Sequence, residues 1–189
     1  MDKDTKPLIL IFAGPNGSGK TTVTRRLNIV GTYINADDLK TEYNLTDLEA
    51  AKMAEAFRNA LLCSNRDFTF ETVLSTRRNL QLLQKAKTQG YQIHCIYVLT
   101  CDEKINIARV KSRYAAGGHN VPEDKIRTRY HRALALIPEL IEVCNNIAIY
   151  DNSNMPYLIF EKTDSGVTVY PNSYWSKYEI QKLSGVLKE

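Results

Sequence analysis

The segment Gly14-Pro15-Asn16-Gly17-Ser18-Gly19-Lys20-Thr21 fills every fixed position of the pattern G-x-x-x-x-G-K-[ST] and constrains this chain more than any other feature. It follows the apolar run Leu8–Ala13, which reads as a strand buried on both faces, and precedes a predicted helix over about 20–29. Strand, glycine turn and helix in that order turn successive backbone N–H groups into one concavity. The helix N-terminus adds partial positive charge, so the product is a phosphate cradle. Lys20 is expected to reach the β- and γ-phosphates of a nucleotide and the Thr21 hydroxyl to ligate Mg²⁺. A turn serving geometry alone would need the glycines but not Lys followed by Thr. No Asn-Lys-x-Asp guanine signature occurs, which makes ATP the expected nucleotide.

Apolar runs and helical patterns alternate along the rest of the chain. Short strands are predicted at Thr32–Asn35, Phe68–Glu71, Gln92–Thr100 and Ile147–Tyr150. Between them lie a helix capped near Thr46 or Asp47, with Leu48, Ala51, Ala54, Phe57 and Leu61 on one face, and a helix over Thr76–Gln89 stopped by Gly90. A third is capped by Asp102, and a fourth opens at Pro122 with Ile126, Tyr130, Ala133 and Ile137 as its stripe. This alternation predicts an α/β three-layer fold of the P-loop NTPase class, with a five-stranded parallel sheet covered on both faces. Beyond Asp151-Asn152-Ser153-Asn154 the pattern changes. Tyr157–Lys162 and Val167–Tyr170 flank Thr163-Asp164-Ser165-Gly166 as an antiparallel hairpin, and Ser173 is a cap candidate for a final helix bearing Trp175, Tyr178 and Leu183. With 189 residues and neither repeat nor low-complexity linker, one domain is expected over 1–189. Its core spans about 7–153, a lid about 104–132, and the C-terminal hairpin and helix about 156–187.

Three acids fall at the predicted carboxyl ends of strands, where open α/β sheets bind ligands. Asp37 and Asp38 follow the second strand, and Glu71 ends the third. Phosphoryl transfer to an alcohol needs a carboxylate that orients the hydroxyl and takes its proton. One of the aspartates is expected to cap the helical segment 39–42, and Asp38 is assigned that part. Glu71 is read as an acceptor for a substrate hydroxyl or as an outer-sphere partner of Mg²⁺.

Net charge is only +4, but its placement is uneven. Residues 104–132 hold eight basic side chains against Glu123 and Asp124, a net of +6, whereas the rest of the chain nets −2. Arg109 and Arg113 share one face of a helix; Lys125, Arg129 and Arg132 share a face of the next; Gly117-Gly118-His119-Asn120-Val121-Pro122 joins the two. Such a pair of helices is expected to act as a lid, with Arg113 and Arg129 spreading phosphoryl charge through their planar donor forks. Lys111 and Arg132 read as surface charges. His119 is a phosphate-contact candidate, although a glycine-flanked loop histidine is more often structural or merely exposed.

Cys63, Cys95, Cys101 and Cys144 form no zinc-type spacing and no CxxC, and Cys95 reads as a buried small residue in a strand. No stretch is long and apolar enough for a membrane span and nothing resembles a signal peptide, so a cytoplasmic protein without a membrane partner is expected.

Together, Ala13–Thr22, Ile34-Asn35-Ala36-Asp37, Phe70-Glu71-Thr72-Val73-Leu74-Ser75, Gly117–Pro122 and Tyr150-Asp151-Asn152-Ser153 resemble the zeta-toxin family of P-loop kinases, in a compact branch. The resemblance covers about residues 8–153. It implies strand order 2-3-1-4-5, a phosphate-binding set extending from Gly14 through Thr22, and Asp37 as general base. It also implies Glu71, Thr72 and Ser75 on the acceptor side, with lid arginines matching Arg113 and Arg129 less closely. Better-known members phosphorylate a sugar hydroxyl of UDP-N-acetylglucosamine, and an antitoxin protein is the implied partner. This chain is shorter than those toxins, so kinase chemistry carries over better than the acceptor. The alternatives are another small-molecule, nucleoside or nucleic-acid-end kinase, or a regulatory NTP-hydrolysing switch. A short third strand ending in Glu71 and the chain's own lid arginines weigh against the switch. A charge of +4 without interleaved aromatics weighs against general nucleic-acid binding.

Overall fold

In the computed structural model, which describes residues 6–25, 27–118 and 121–186, the run Leu8–Ala13 is strand β1, the middle one of five parallel strands. In chain order follow α1 (Lys20–Thr24), β2 (Thr32–Ile34), α2 (Ala36–Tyr43), α3 (Asp47–Cys63), β3 (Phe68–Thr72) and α4 (Arg78–Thr88). Next come β4 (Gln92–Leu99), α5 (Glu103–Ala115), α6 (Glu123–Ala135), α7 (Ile137–Val143), β5 (Asn146–Asp151), β6 (Tyr157–Thr163), β7 (Gly166–Val169) and α8 (Lys177–Ser184). The sheet order is β2-β3-β1-β4-β5-β6-β7. The first five strands are parallel in the expected order. The hairpin is continuous with them, because β6 pairs antiparallel with β5 and makes the sheet seven-stranded.

The sheet forms around one fully buried face, while on the other Leu10, His94, Ile96 and Ala148 are only partly buried, so the expectation of burial on both faces holds in part. Ile9, Ile11, Phe68, Phe70, Ile93 and Ile149 are fully buried, each side chain contributing roughly 1.5–3 kcal/mol through its removal from water. A separate small cluster of Ile107, Val110 and Ile126, with Val121 against it, holds α5 to α6. Register brings the ends of the strands together: Phe12 lies opposite Glu71 and Ala13 opposite Thr72. The phosphate loop therefore begins beside the acidic end of β3, with β1 set between β3 and β4 where the strand order reverses.

Several local expectations are corrected. The first helix ends at Thr24 rather than near residue 29. Ile29 is 55% exposed, so it has no face to bury, and the backbone of Val30 is clamped in both directions by the Thr69 hydroxyl. The cap of α2 is Asn35, whose side chain accepts from the Asp37 N–H at 3.0 Å; Asp38 lies inside the first turn. On α3 the buried residues are Ala50, Ala54, Arg58 and Leu62, whereas Leu48 is 63% and Phe57 44% exposed. Thr46 does cap this helix, in a reciprocal box with Glu49. The helix from Pro122 stops at Ala135, and Ile137 opens the separate α7, with Pro138 in its first turn where a missing N–H costs nothing. The last helix is capped by Ser176 with Glu179, not by Ser173.

Candidate active site

The loop between β1 and α1 is held by close approach. Gly14, Gly17 and Gly19 have φ of 141°, 77° and 85°. A Cβ on them would lie 2.0 Å from the Val98 carbonyl oxygen, 2.5 Å from that of Asn106 and 2.2 Å from Asn152 Nδ2. The loop is thus pressed against β4, α5 and the end of β5, and no larger residue fits. Polar ties fix it further. Asn106, fully buried, donates from Nδ2 to the Asn16 carbonyl at 2.7 Å and accepts from the Thr100 hydroxyl. Asn152 donates to the Ser18 carbonyl at 2.8 Å, and Arg109 spans the Ser18 and Ser153 carbonyls. Pro15 O accepts from the Ser18 N–H at 3.2 Å.

Lys20 is buried at the start of α1. Its Nζ donates to Gly14 O at 2.9 Å and Pro15 O at 3.4 Å and lies 3.6 Å from Glu71 Oε1. Burial pushes its pKa below the ordinary lysine value; the charges of Glu71 and Asp37 oppose that shift, and Arg113 adds to it. Thr21 and Thr22 lie exposed in the first turn, with the Thr22 N–H donating to Gly19 O. The Ser18 hydroxyl is buried with no hydrogen-bond partner among the described residues. A concave loop of backbone donors, a buried lysine and an unsatisfied buried hydroxyl fit a phosphate group.

Two adjoining cavities of about 240 and 360 Å³ open beside this loop, and Asn16, Asp37, Thr72 and Arg113 line both. Lys20 and Glu71 line the smaller, Ser75 and Arg129 the larger. Asp37 is exposed on α2, whereas Asp38 lines neither cavity. The Asp38 carboxyl is held above its ordinary pKa by burial first, then by the charges of Asp37 and Glu42. Glu71 accepts from the Tyr33 hydroxyl at 3.3 Å; burial and the Glu71 charge push the Tyr33 pKa up to about 12. Thr72 Oγ1 accepts from the Leu74 N–H at 3.0 Å and from Asn79 Nδ2 at 2.7 Å. Leu74, buried, adopts φ 53°, a left-handed conformation unusual for a side chain of its size, between cavity-lining Val73 and Ser75.

Arg129 donates from Nη1 to Asn16 Oδ1 at 3.3 Å, and Arg113 lines the cavities from α5. The other basic residues of this window behave differently. Lys111 bridges Glu123 at 2.8 Å, Arg127 bridges Glu103 at 2.6 Å, and Arg132 is exposed. Gly117 and Gly118 close the end of α5 by donating to Tyr114 O and Arg113 O. His119 lies outside the described residues.

The sequence reading missed Arg58, Asn79, Asn106 and Asn152, and it grouped Arg109 with Arg113 on the lid face, whereas Arg109 ties the Ser18 and Ser153 carbonyls. Asn152 stands within the Tyr150–Ser153 segment on which the resemblance rests, and a mid-helix asparagine such as Asn106 signals a local polar task. Arg58 carries no such signal. Among the described residues no group of three or more His, Cys, Asp or Glu is placed to hold a metal ion. No helix there is long and apolar enough to cross a membrane.

Comparison with known proteins bears on the family and the fold. The chain is 31% identical over 128 residues to an uncharacterized protein of Haemophilus influenzae, covering 64% of this chain and 91% of that one. It superposes on a chain of the AvrRxo1-ORF1:AvrRxo1-ORF2 complex, solved with sulphate ions and with ATP, at TM-scores of 0.74 and 0.73 and 12% identity. The match covers 96% of this chain but 64% of that one, so the chain spans under two thirds of the AvrRxo1 protein's length. A structure from the PezAT chromosomal toxin–antitoxin system of Streptococcus pneumoniae matches at TM-score 0.59 and 19% identity, over 98% of this chain and 86% of that one. At these identities the likeness is one of fold. The match to the zeta toxin family extends over residues 31–164, and the chain belongs to that family.

Proposed function

We propose that the chain is an ATP-dependent kinase that moves the γ-phosphoryl group to a hydroxyl of a small-molecule acceptor, with UDP-N-acetylglucosamine the first candidate. The observation that carries the reading is the shared cavity: Lys20, Asp37 and Glu71 line one space that opens directly beside the glycine loop. A hydrolysing switch needs no such room for an alcohol.

In this mechanism the loop from Gly14 to Thr22 holds the phosphate chain through the backbone N–H groups of Gly17, Gly19, Lys20 and Thr21, together with Lys20 Nζ. Lys20 exchanges its contacts to the Gly14 and Pro15 carbonyls for phosphate oxygens. Thr21 supplies the hydroxyl for Mg²⁺, which, when bound, offsets phosphate charge. Asp37 orients the acceptor hydroxyl and takes its proton as the new P–O bond forms and the bond to the ADP oxygen breaks. Glu71, Thr72 and Ser75 position the acceptor. Arg113 and Arg129 spread the charge of the transferring group, and closure of α5 and α6 excludes water in favour of the alcohol. The family and the toxin–antitoxin origin of one structural neighbour support an antitoxin protein as partner.

The test is incubation with ATP, Mg²⁺ and UDP-N-acetylglucosamine, followed by mass spectrometry. A singly phosphorylated sugar nucleotide supports the acceptor. ATP consumed with no phosphorylated sugar nucleotide rejects it.

A further inference from the structure

The carboxylate of Asp151, at the end of β5, is 1% exposed, and a buried charge of this kind needs donors. Among the described residues it meets neutral donors only. Oδ1 accepts from the Ser153 N–H at 3.1 Å and from the Ser153 hydroxyl, and Oδ2 accepts from Asn172 Nδ2 at 3.1 Å. Asn172 lies between β7 and α8, beyond the residues 31–164 matched to the family. Its Oδ1 accepts from the N–H groups of Tyr174 and Trp175 at 2.9 and 2.8 Å, which leaves its amide one orientation, with Nδ2 towards Asp151.

The pair fixes both neighbours of one residue under the glycine loop. Asn152 is 4% exposed; its N–H donates to Leu99 O and its Nδ2 to Ser18 O, each at 2.8 Å. Ser153, tied to Asp151, accepts through Oγ from the Cys101 N–H at 2.8 Å, and its carbonyl accepts from Arg109. Asn152 Nδ2 would stand 2.2 Å from a Cβ on Gly19, the cap of α1 immediately before Lys20. At that approach Asn152 cannot shift without shifting the turn that presents Lys20. Hydrogen bonds to a carboxylate are stronger than those to a neutral oxygen, which suits Asp151 to holding this corner.

We infer that Asn172 and Asp151 are positioning residues for the glycine loop. Through Asn152 and Ser153 they set the backbone of Ser18 and Gly19, so the segment after β7 governs how tightly a nucleotide's phosphates are held. The consequence for phosphate deepens the kinase reading and rests on it; the coupling between the two segments does not.

The test compares the full chain with Asn172→Asp, Asp151→Asn and the paired swap Asp151→Asn/Asn172→Asp. Asn172→Asp sets two carboxylates against each other. Asp151→Asn offers one acceptor oxygen where two are used. In the paired swap every donor again faces an acceptor: the amide at 151 accepts from Ser153 and donates to the carboxylate at 172, which still accepts from Tyr174 and Trp175. Each protein is followed by hydrogen exchange over 14–24 without nucleotide, by calorimetric titration with a non-hydrolysable ATP analogue and Mg²⁺, and by thermal denaturation. Both single variants should speed exchange over 14–24 and weaken the analogue about tenfold, an ordinary size for coupling within one hydrogen-bond network. The paired swap should restore both. A contact that merely fastens the C-terminal segment would lower Tm and leave loop exchange and analogue affinity at their wild-type values. That result, or a swap that does not restore them, overturns the inference while the kinase reading stands. Asn172→Ala, which removes the donor without adding charge, carries the same expectation if Asn172→Asp does not fold. If the wild type itself does not bind the analogue, the kinase reading fails, and exchange over 14–24 alone decides the positioning role.

Discussion

Lys20 Nζ stands 3.6 Å from Glu71 Oε1, joining the glycine loop after β1 to the end of β3. Burial depresses the lysine pKa and the Glu71 charge raises it, so the pair sets the pH at which the loop loses its cation. Deprotonated Lys20 cannot offset phosphate charge, so kcat/KM for ATP should fall on the alkaline side before the ordinary lysine range is reached. Glu71→Gln removes a charge that favours protonation and should move this limb to lower pH. An unmoved limb, or one moved upward, in a pH series of initial rates would show that the two groups are not coupled.

Asp37→Asn should keep ATP binding and lower kcat by about 10²- to 10⁴-fold, the usual worth of a positioned general base. Asp38→Asn should cost far less, since Asp38 lines neither cavity. Steady-state rates and nucleotide titration of the two variants check this. A crippled Asp38→Asn with a near-normal Asp37→Asn would reverse the assignment.

Arg113→Ala or Arg129→Ala should each lower kcat strongly, an arginine in this role being worth roughly 10³–10⁵ in rate. The double variant should be little worse than the worse single one if the two act as a unit. Hydrogen exchange at residues 114–118 and 121–128 should slow when a non-hydrolysable ATP analogue binds. Unchanged exchange with near-normal turnover in both single variants would reduce these arginines to surface charges.

The glycine loop was legible in the sequence because its chemistry is local: φ above zero, close backbone approach and a lysine at a fixed offset all sit within eight residues. The parallel strands were legible because short apolar-rich runs recur between helical patterns, although only one face of the sheet is fully buried and the residues in β4 and β5 alternate in burial. The inward face of α3 was legible only in part: Ala54 and Leu61 of the expected stripe do meet the core. Leu48 and Phe57 outweigh Ala50 in hydropathy, yet they are exposed, and small residues such as Ala50 and Ala54 leave room for the cavities. The caps erred for a different reason. Asn35 and Asp38 are both competent cap residues, and the start of α2 is set by where β2 ends. Ser176 with Glu179 three residues on did carry the capping-box signal that Ser173 lacks. Arg58 was out of reach, because arginine is usually exposed and only the packing of α3 against Phe70 encloses it.

The central claim is phosphoryl transfer from the glycine loop to an alcohol, and the fate of a labelled γ-phosphate in wild type and Lys20→Ala tests it most directly. The wild type, given γ-labelled ATP and a panel of hydroxyl-bearing metabolites that includes UDP-N-acetylglucosamine, should place the label on an organic acceptor. Lys20→Ala should remain folded and transfer none. Label released only as inorganic phosphate, or equal transfer by both proteins, would contradict the account.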